Sequence, residues 1–168
     1  MFIRDAGKEE FLQIKELRLQ SYQEHEKKIP AGHWTVLQKS ILSDGEKQEG
    51  IERMVAEIDG EIVGTVALFS PEIEVYKGLV DGGELKHPEL RMLAVSPIAR
   101  GKGVAKALVH ECIERSKKKG YTSMGLHTAD FMESAVELYL RLGFKRVPEN
   151  DFVPLDDGIV VKAFRIDF

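Results

Sequence analysis

The stretch from residue 89 to residue 128 constrains the fold most, because its hydrophobic period changes twice. Residues 89–95 are a short apolar run that is typical of a buried strand. Residues 103–119 then place one apolar face at helical spacing, made of Ala105, Leu108, Val109, Cys112 and Ile113. After the helix stop at Gly120, residues 121–128 return to a strand pattern. A strand, a helix and a second strand in this order predict two parallel strands joined by a crossover.

Weaker patterns on both sides extend this unit into one domain. Alternation over residues 53–70, with the turn dipeptide Asp59-Gly60 and an interruption at Gly64, predicts a β-hairpin. Residues 71–88 predict a long loop, functional or mobile. The other predicted elements are helices over 9–22, 33–43 and 132–142 and strands over 144–147 and 159–166. The expected fold is therefore a single α/β domain over 1–168, with a mixed (α+β) central sheet flanked by helices.

Composition excludes several classes of protein. The chain has 168 residues and a formal net charge of −4, which argues against a nucleic-acid binder that relies on a basic surface. No apolar run reaches the roughly 18 residues that a membrane span requires. The residues from Met1 to Asp5 lack a signal-peptide pattern, and the single cysteine, Cys112, excludes an internal disulfide framework. We therefore expect a soluble cytoplasmic protein that binds neither nucleic acid nor membrane.

A glycine-containing loop, Ser96 to Ala105, joins the first of the parallel strands to its helix. Gly101 and Gly103 permit a sharp turn just before the helix, where backbone N–H groups lack partners and the helix dipole adds positive charge. Because Arg100 and Lys102 add full charges, the loop predicts a phosphate or pyrophosphate site.

This loop matches neither common nucleotide motif. The P-loop string G-x-x-x-x-G-K-[ST] is absent from the chain, and the dinucleotide fingerprint fails because Lys106 stands in place of its third small residue. An alternative interpretation is that the two glycines only shape the turn between strand and helix.

Two motifs resemble those of a known family. The pattern R-x-x-G-x-A at Arg100, Gly103 and Ala105, after the strand end Leu93-Ala94-Val95, resembles the acyl-CoA signature of the GNAT superfamily of N-acetyltransferases. The second motif of that superfamily is similar to the run Ala135-x-x-Leu-Tyr-x-x-Leu-Gly-Phe144. The order of the predicted elements agrees with the GNAT fold over nearly the whole chain, which implies that fold and acetyl-CoA as the acyl donor.

The resemblance implies a place for each part of the donor. The main chain of Leu93, Ala94 and Val95 would pair with the pantetheine arm. Backbone amides would hold the pyrophosphate along the loop formed by Arg100, Gly101, Lys102, Gly103, Val104 and Ala105. Tyr139 falls where a hydroxyl often protonates the leaving thiolate. Met132 stands where many members carry Asn, and Ser134 is a neighbour that could supply the missing hydrogen bond.

Transfer of an acyl group to an amine requires a group that accepts the amine proton. Glu89, which opens the predicted strand 89–95, is the first candidate for this base, either directly or through water. His127 is the competing candidate, because a histidine titrates in a suitable range. Cys112 lies on the apolar helix face and is interpreted as a buried structural thiol. The histidines show no metal-ligand spacing, so no metal is expected.

The sequence leads to two functional hypotheses. The first is an acetyl-CoA-dependent N-acetyltransferase that moves the acetyl group to a primary amine, of a small molecule or a peptide, by direct attack in a ternary complex. The alternative is a non-catalytic acyl-CoA-binding sensor or scaffold. Glu89 and Tyr139 favour the enzyme. The chain is expected to be a monomer or a homodimer, and the strand at 159–166 could pair with its copy in a second chain.

Overall fold

The computed structural model of the protein describes residues 1–43, 49–72 and 86–168. Its helices are α1 (Phe11–Tyr22), α2 (Ala31–Leu42), α3 (Val104–Lys118) and α4 (Glu133–Arg141). Its strands are β1 (Phe2–Asp5), β2 (Ile51–Ile58), β3 (Glu61–Phe69), β4 (Glu89–Val95), β5 (Ser123–Ala129), β6 (Lys145–Arg146) and β7 (Val161–Asp167). The predicted loop over 71–88 falls largely on residues 73–85, which lie outside this description.

The strands of the described residues form one sheet in the order β1-β2-β3-β4-β5-β7-β6. Strands β4 and β5 are parallel, whereas the other neighbours are antiparallel. The mixed sheet, the parallel pair and the β2–β3 hairpin are therefore confirmed. At the hairpin turn, Asp59 and Gly60 have φ values of 53° and 82°, the positive values that a type I′ turn requires.

The two sides of the sheet differ from what the sequence predicted. The four-residue strand β1 was not predicted, because it is too short for its alternation to stand out, and it pairs with β2. The last strand, β7, lies inside the sheet between β5 and β6. Val147 N also donates to Ala163 O, so both sides of β7 carry hydrogen bonds. The expectation that this strand could pair with a second copy is therefore wrong.

The sheet separates two apolar clusters. Helix α3 covers one face, where the packed side chains include Leu90, Leu108, Met124, Leu126 and Phe164. The ends of α1 and α2 cover the other face near the end of β5, around Ile29, Trp34, Ala129 and Ile159. The centre of the sheet, where β4 meets β5, therefore lies between the two clusters.

Gly64 is the point at which α3 comes closest to the sheet. The sequence predicted an interruption of β3 here, yet the strand continues through Gly64. A Cβ atom at this position would lie 2.6 Å from Val104 Cγ1 and 3.1 Å from Leu108 Cδ1. Glycine is therefore required at position 64, because the first turn of α3 packs too close to β3 to leave room for a Cβ atom.

Replacing Gly64 with alanine is expected to lower the free energy of unfolding by about 1–3 kcal/mol, because the added methyl group overpacks a buried contact. The matched control is Gly32→Ala in α2, where an added Cβ meets nothing within 4 Å. Removing this helical glycine should raise the free energy of unfolding by up to about 1 kcal/mol. Urea unfolding of both variants measures the difference, and equal stabilities would contradict the packing argument.

Candidate active site

The centre of the sheet opens between its two parallel strands. Glu89 pairs with Gly125 and Leu90 pairs with Leu126, and among the described residues the β4–β5 ladder holds no further pair. Strand β5 continues to Ala129 on its β7 side, while β4 continues to Val95 on its β3 side. The two strands therefore diverge, and we call the space between 91–95 and 127–129 the β4–β5 gap.

A bulge in β4 turns backbone groups toward this gap. Thr65 pairs with Ala94 and Ala67 pairs with Arg91, so one residue of β3 faces two residues of β4. Met92, inside the bulge, has a φ of 53°, which is unusual for a residue other than glycine. Its position at the mouth of the gap is consistent with backbone strain at a functional site.

The carbonyl of Val95 faces the gap. Ser96 N donates to Val63 O at 2.8 Å, so the N–H of this peptide points toward β3. A trans peptide directs its C=O opposite to its N–H, which sends the Val95 carbonyl to the other side. The carbonyl of Leu93 also lies outside the β3 ladder, because it accepts a hydrogen bond of 2.8 Å from the Tyr22 hydroxyl. An extended ligand with amide groups could pair with this edge as an added strand.

The loop at the start of α3 lies at the end of the same strand. Gly101 and Gly103 have φ values of 76° and 78°, so the turn uses the conformation that glycine adopts most easily. No side chain caps the α3 N-terminus within the described part of the chain. A Cβ at either glycine would meet nothing within 4 Å, so the backbone there is open to a ligand. Free N–H groups and the helix dipole suit a phosphate at this point.

The two basic side chains of this loop behave differently. Lys102 is exposed. The Arg100 guanidinium instead contacts Glu24 Oε2 at 2.6 Å and Ser21 O at 3.1 Å, so its charge is shared with the end of α1. Arg100 holds the pKa of the Glu24 carboxyl below its usual value through this hydrogen bond.

Glu89 and His127 form a partly buried pair at the base of the gap. Glu89 is only 3% exposed, and its Oε1 lies 3.1 Å from His127 Nδ1. The other ring nitrogen, Nε2, lies 3.2 Å from the carbonyl of Asn150. Since a carbonyl oxygen only accepts, Nε2 carries a hydrogen, and a single proton must lie between Nδ1 and the Glu89 carboxylate. The structure thus brings together the two candidates for the base.

The surroundings of His127 set its protonation. Burial alone would lower the pKa of the imidazole, but the hydrogen bond and the charge of Glu89 outweigh it and raise the pKa above 6.5. A cavity of about 30 Å³ adjoins the pair and is lined in part by His87, Asn150 and Arg165. This volume holds about one water molecule beside the pair.

Tyr139 of α4 lies in the apolar cluster on the α3 side of the sheet. The residue is 4% exposed and its ring packs against Phe144 and Phe164, with centroids 5.6 and 6.4 Å away. Burial raises the pKa of its hydroxyl well above the ordinary value of 10, and the nearby Tyr22 and Cys112 add to this effect. A phenol that stays protonated can donate a proton to a departing thiolate.

A model of the acetyltransferase (GNAT) family matches residues 11–144, most of the chain. The chain belongs to the GNAT family. The resemblance that rested on two sequence motifs is thereby confirmed. A donor site at the β4–β5 gap and its adjoining loop stays a prediction.

Two curated relatives of this GNAT chain illustrate the similarity. N-acetyltransferase 8 of Rattus norvegicus is 38% identical over 112 residues, which are 67% of this chain and 46% of the relative. N-acetylaspartate synthetase of Xenopus tropicalis is 34% identical over 136 residues, which are 77% of this chain and 46% of the relative. The chain therefore spans less than half the length of these relatives.

Solved structures show the same fold at lower identity. The PaiA N-acetyltransferase from Thermoplasma acidophilum, solved in complex with coenzyme A, has a TM-score of 0.71 and 17% identity, with 99% of this chain and 98% of that chain covered. The ribosomal-protein-alanine N-acetyltransferase from Brucella melitensis has a TM-score of 0.68 and 17% identity, with both chains fully covered.

The position that departs from the GNAT motif lies at the start of α4. Met132 precedes the helix, and its sulfur lies 3.6 Å from Thr128 Oγ1. Its side chain packs on the α1–α2 side of the sheet. Ser134 is exposed in the first turn of α4, so its proposed contact with a donor stays a prediction.

The remaining sequence interpretations concern the thiol and metals. Cys112 is fully buried within the α3 cluster, and burial raises the pKa of its thiol, so it is the structural residue that its helix face indicated. In the ranges that the structure describes, no group of three or more His, Cys, Asp or Glu side chains could hold a metal ion. Nor is any described helix both long and apolar enough to cross a membrane.

Sequence reasoning missed two residues of the site. Tyr22 lies at the end of α1, far in sequence from β4, and Asn150 contributes a backbone carbonyl rather than its side chain. Neither contact has a local signal in the sequence, because each depends on how distant segments pack around the gap.

Proposed function

We propose that this GNAT chain is an acetyl-CoA-dependent N-acetyltransferase that moves the acetyl group to a primary amine by direct attack in a ternary complex. The observation that carries the proposal is the open backbone edge of β4 beside the uncapped start of α3. That arrangement can pair with an amide-containing arm and bind a pyrophosphate in one extended ligand. The family match and the coenzyme A complex of a protein with the same fold support this choice of donor.

The residues of the gap then have separate tasks. Backbone groups of Leu93, Ala94 and Val95 orient the pantetheine arm, and the amides from Arg100 to Ala105 hold the pyrophosphate. The Glu89–His127 pair accepts the proton that the amine loses as its nitrogen attacks the thioester carbonyl. A backbone N–H of β4 stabilises the negative charge that develops on the carbonyl oxygen. Tyr139 gives its proton to the departing thiolate, so the proton lost and the proton supplied balance.

The acceptor is a primary amine of a small molecule or a peptide. The names of the relatives, an N-acetyltransferase and an N-acetylaspartate synthetase, support transfer to nitrogen. We further expect a cytoplasmic protein, monomeric or homodimeric, that binds neither nucleic acid nor membrane. Its net charge of −4 and its free buried cysteine are compatible with that setting.

Thermal unfolding with acetyl-CoA, coenzyme A or NAD tests the donor. A ligand at about 100 times its dissociation constant contributes roughly 2.7 kcal/mol, which should raise the unfolding midpoint of a domain of this size by about 5–10 °C. We expect this rise with both coenzyme A compounds and none with NAD. Absence of a rise with either coenzyme A compound would overturn the proposed donor site.

A screen for free thiol then separates the enzyme from the non-catalytic acyl-CoA-binding module. The assay contains acetyl-CoA and single amines, including small amines, amino acids and a peptide with a free amino terminus. Thiol release that depends on an added amine supports the transferase. Donor binding without such release across the panel would favour the sensor or scaffold.

A further inference from the structure

The end of α1 touches both parts of the proposed donor site. Within residues 21–24, Tyr22 contacts the edge of β4, and Glu24 contacts the loop before α3. The backbone carbonyl of Ser21 is a second acceptor for the same loop. A single short segment therefore holds one group at the pantetheine edge and another at the pyrophosphate loop.

At the pantetheine edge, the Tyr22 hydroxyl stands where an amide of the donor would bind. Its oxygen lies 2.8 Å from the Leu93 carbonyl oxygen, the distance of a ladder hydrogen bond. An added strand would run roughly 4.8 Å from β4. Its N–H groups would then lie within hydrogen-bonding distance of the same carbonyl. The tyrosine ring is half-buried among the side chains beside the gap, so the hydroxyl is held at this point by packing.

At the pyrophosphate loop, the Arg100 guanidinium is drawn toward α1. It donates to Glu24 Oε2 at 2.6 Å and to Ser21 O at 3.1 Å. Both partners of this ion pair are more than 40% exposed, so the pair is weak and another anion can replace Glu24. A pyrophosphate carries more negative charge than one carboxylate and would compete for the same guanidinium.

We propose that residues 21–24 form a competitive latch, in which the Tyr22 hydroxyl and the Glu24 carboxylate occupy the groups that the donor takes when it binds. The inference rests on the proposed donor, acetyl-CoA. Donor binding breaks both contacts.

The same segment precedes residues that are held by separate contacts. It leads directly into His25, whose ring lies 5.2 Å from that of Phe131 at the end of β5. Further along, His33 of α2 binds Asp157 at 2.6 Å, which ties the helix to the loop before β7. Donor binding therefore exchanges the two latch contacts while these other contacts remain.

Isothermal titration calorimetry with two probes tests the latch. Acetyl-CoA carries the pyrophosphate, whereas S-acetylpantetheine lacks it. Tyr22→Phe removes the competing hydroxyl and should tighten binding of both probes about two- to tenfold, the range of one hydrogen bond. Glu24→Gln should tighten acetyl-CoA about two- to fivefold and leave S-acetylpantetheine unchanged, because only the former reaches Arg100.

Matched variants and kinetics separate the latch from a structural role. Tyr121→Phe, at a half-buried tyrosine before β5, and Glu26→Gln, at an exposed carboxylate near Glu24, should leave both affinities unchanged. Under the latch, Tyr22→Phe lowers the KM for acetyl-CoA without lowering kcat.

Two results would overturn the latch, and a third would overturn the proposed function on which it rests. Equal or weaker donor binding by Tyr22→Phe would mean that the hydroxyl holds the donor or plays no part. An equal effect of Glu24→Gln on both probes would remove Arg100 from the argument. Wild-type protein that binds neither probe would instead refute the proposed function, an outcome distinct from the other two.

Discussion

Replacement of Glu89 with glutamine is expected to lower kcat about 10²- to 10⁴-fold, the range for loss of a general base. Glutamine keeps the size of the side chain but removes the carboxylate that shares a proton with His127 Nδ1. The affinity for acetyl-CoA should change little, because the donor binds further along β4. Steady-state kinetics at saturating donor measures the loss, and Glu61→Gln, at an exposed carboxylate of β3, is the control.

The pH profile gives this prediction a second measurement. Below the raised pKa of His127 the pair already holds its extra proton, so kcat of the wild type should rise with pH through a value above 6.5. Glu89→Gln removes the group that raises this pKa. The residual kcat of this variant should therefore rise with pH at a lower pH than the kcat of the wild type does. The sign follows because a carboxylate stabilises the protonated imidazole, whereas an amide does not.

His127→Gln decides which member of the pair is the base. If Glu89 accepts the proton, this variant loses less activity than Glu89→Gln, and the pH limb above 6.5 disappears. A greater loss in His127→Gln would assign the base to the histidine. Full activity in both variants would contradict a role for the pair and would leave a water chain as the route for the proton.

Replacement of Tyr139 with phenylalanine is expected to lower kcat about a hundredfold or more, with the donor dissociation constant within about twofold of the wild type. The ring stays packed against Phe144 and Phe164, so the variant loses only the hydroxyl. That hydroxyl has a raised pKa because it is buried, and it therefore remains protonated until the thiolate departs.

Acyl donors with different leaving thiols test whether Tyr139 protonates the departing thiolate. A thioester whose leaving thiol is more acidic needs less protonation and should recover part of the activity of Tyr139→Phe. Tyr121→Phe, which removes a hydroxyl elsewhere, should match the wild type with both donors. Unchanged kcat in Tyr139→Phe, or a loss that the more acidic thiol does not reduce, would remove Tyr139 from the leaving-group step.

Long periodic elements and the two motifs could be predicted from the chain alone. Strand β4 was predicted at 89–95, and α3 begins one residue after the predicted start, because Gly103 caps it in a left-handed conformation. The short edge strand β1 could not be placed, since four residues show no period, whereas β6 lies within the strand predicted at 144–147. Gly64 was interpreted as an interruption, although its cause is the side chain of Val104 packed above it.

What the sequence determined by itself was local: the glycines that open the loop before α3, the apolar face that seats this helix, and the motif positions of Glu89 and Tyr139. The tertiary structure alone decided how these residues meet. Parallel pairing of Glu89 with Gly125 places His127 beside the carboxylate, and the loss of pairing after Leu90 opens the gap. Register between strands more than thirty residues apart depends on packing from both faces of the sheet, which no single stretch of sequence records.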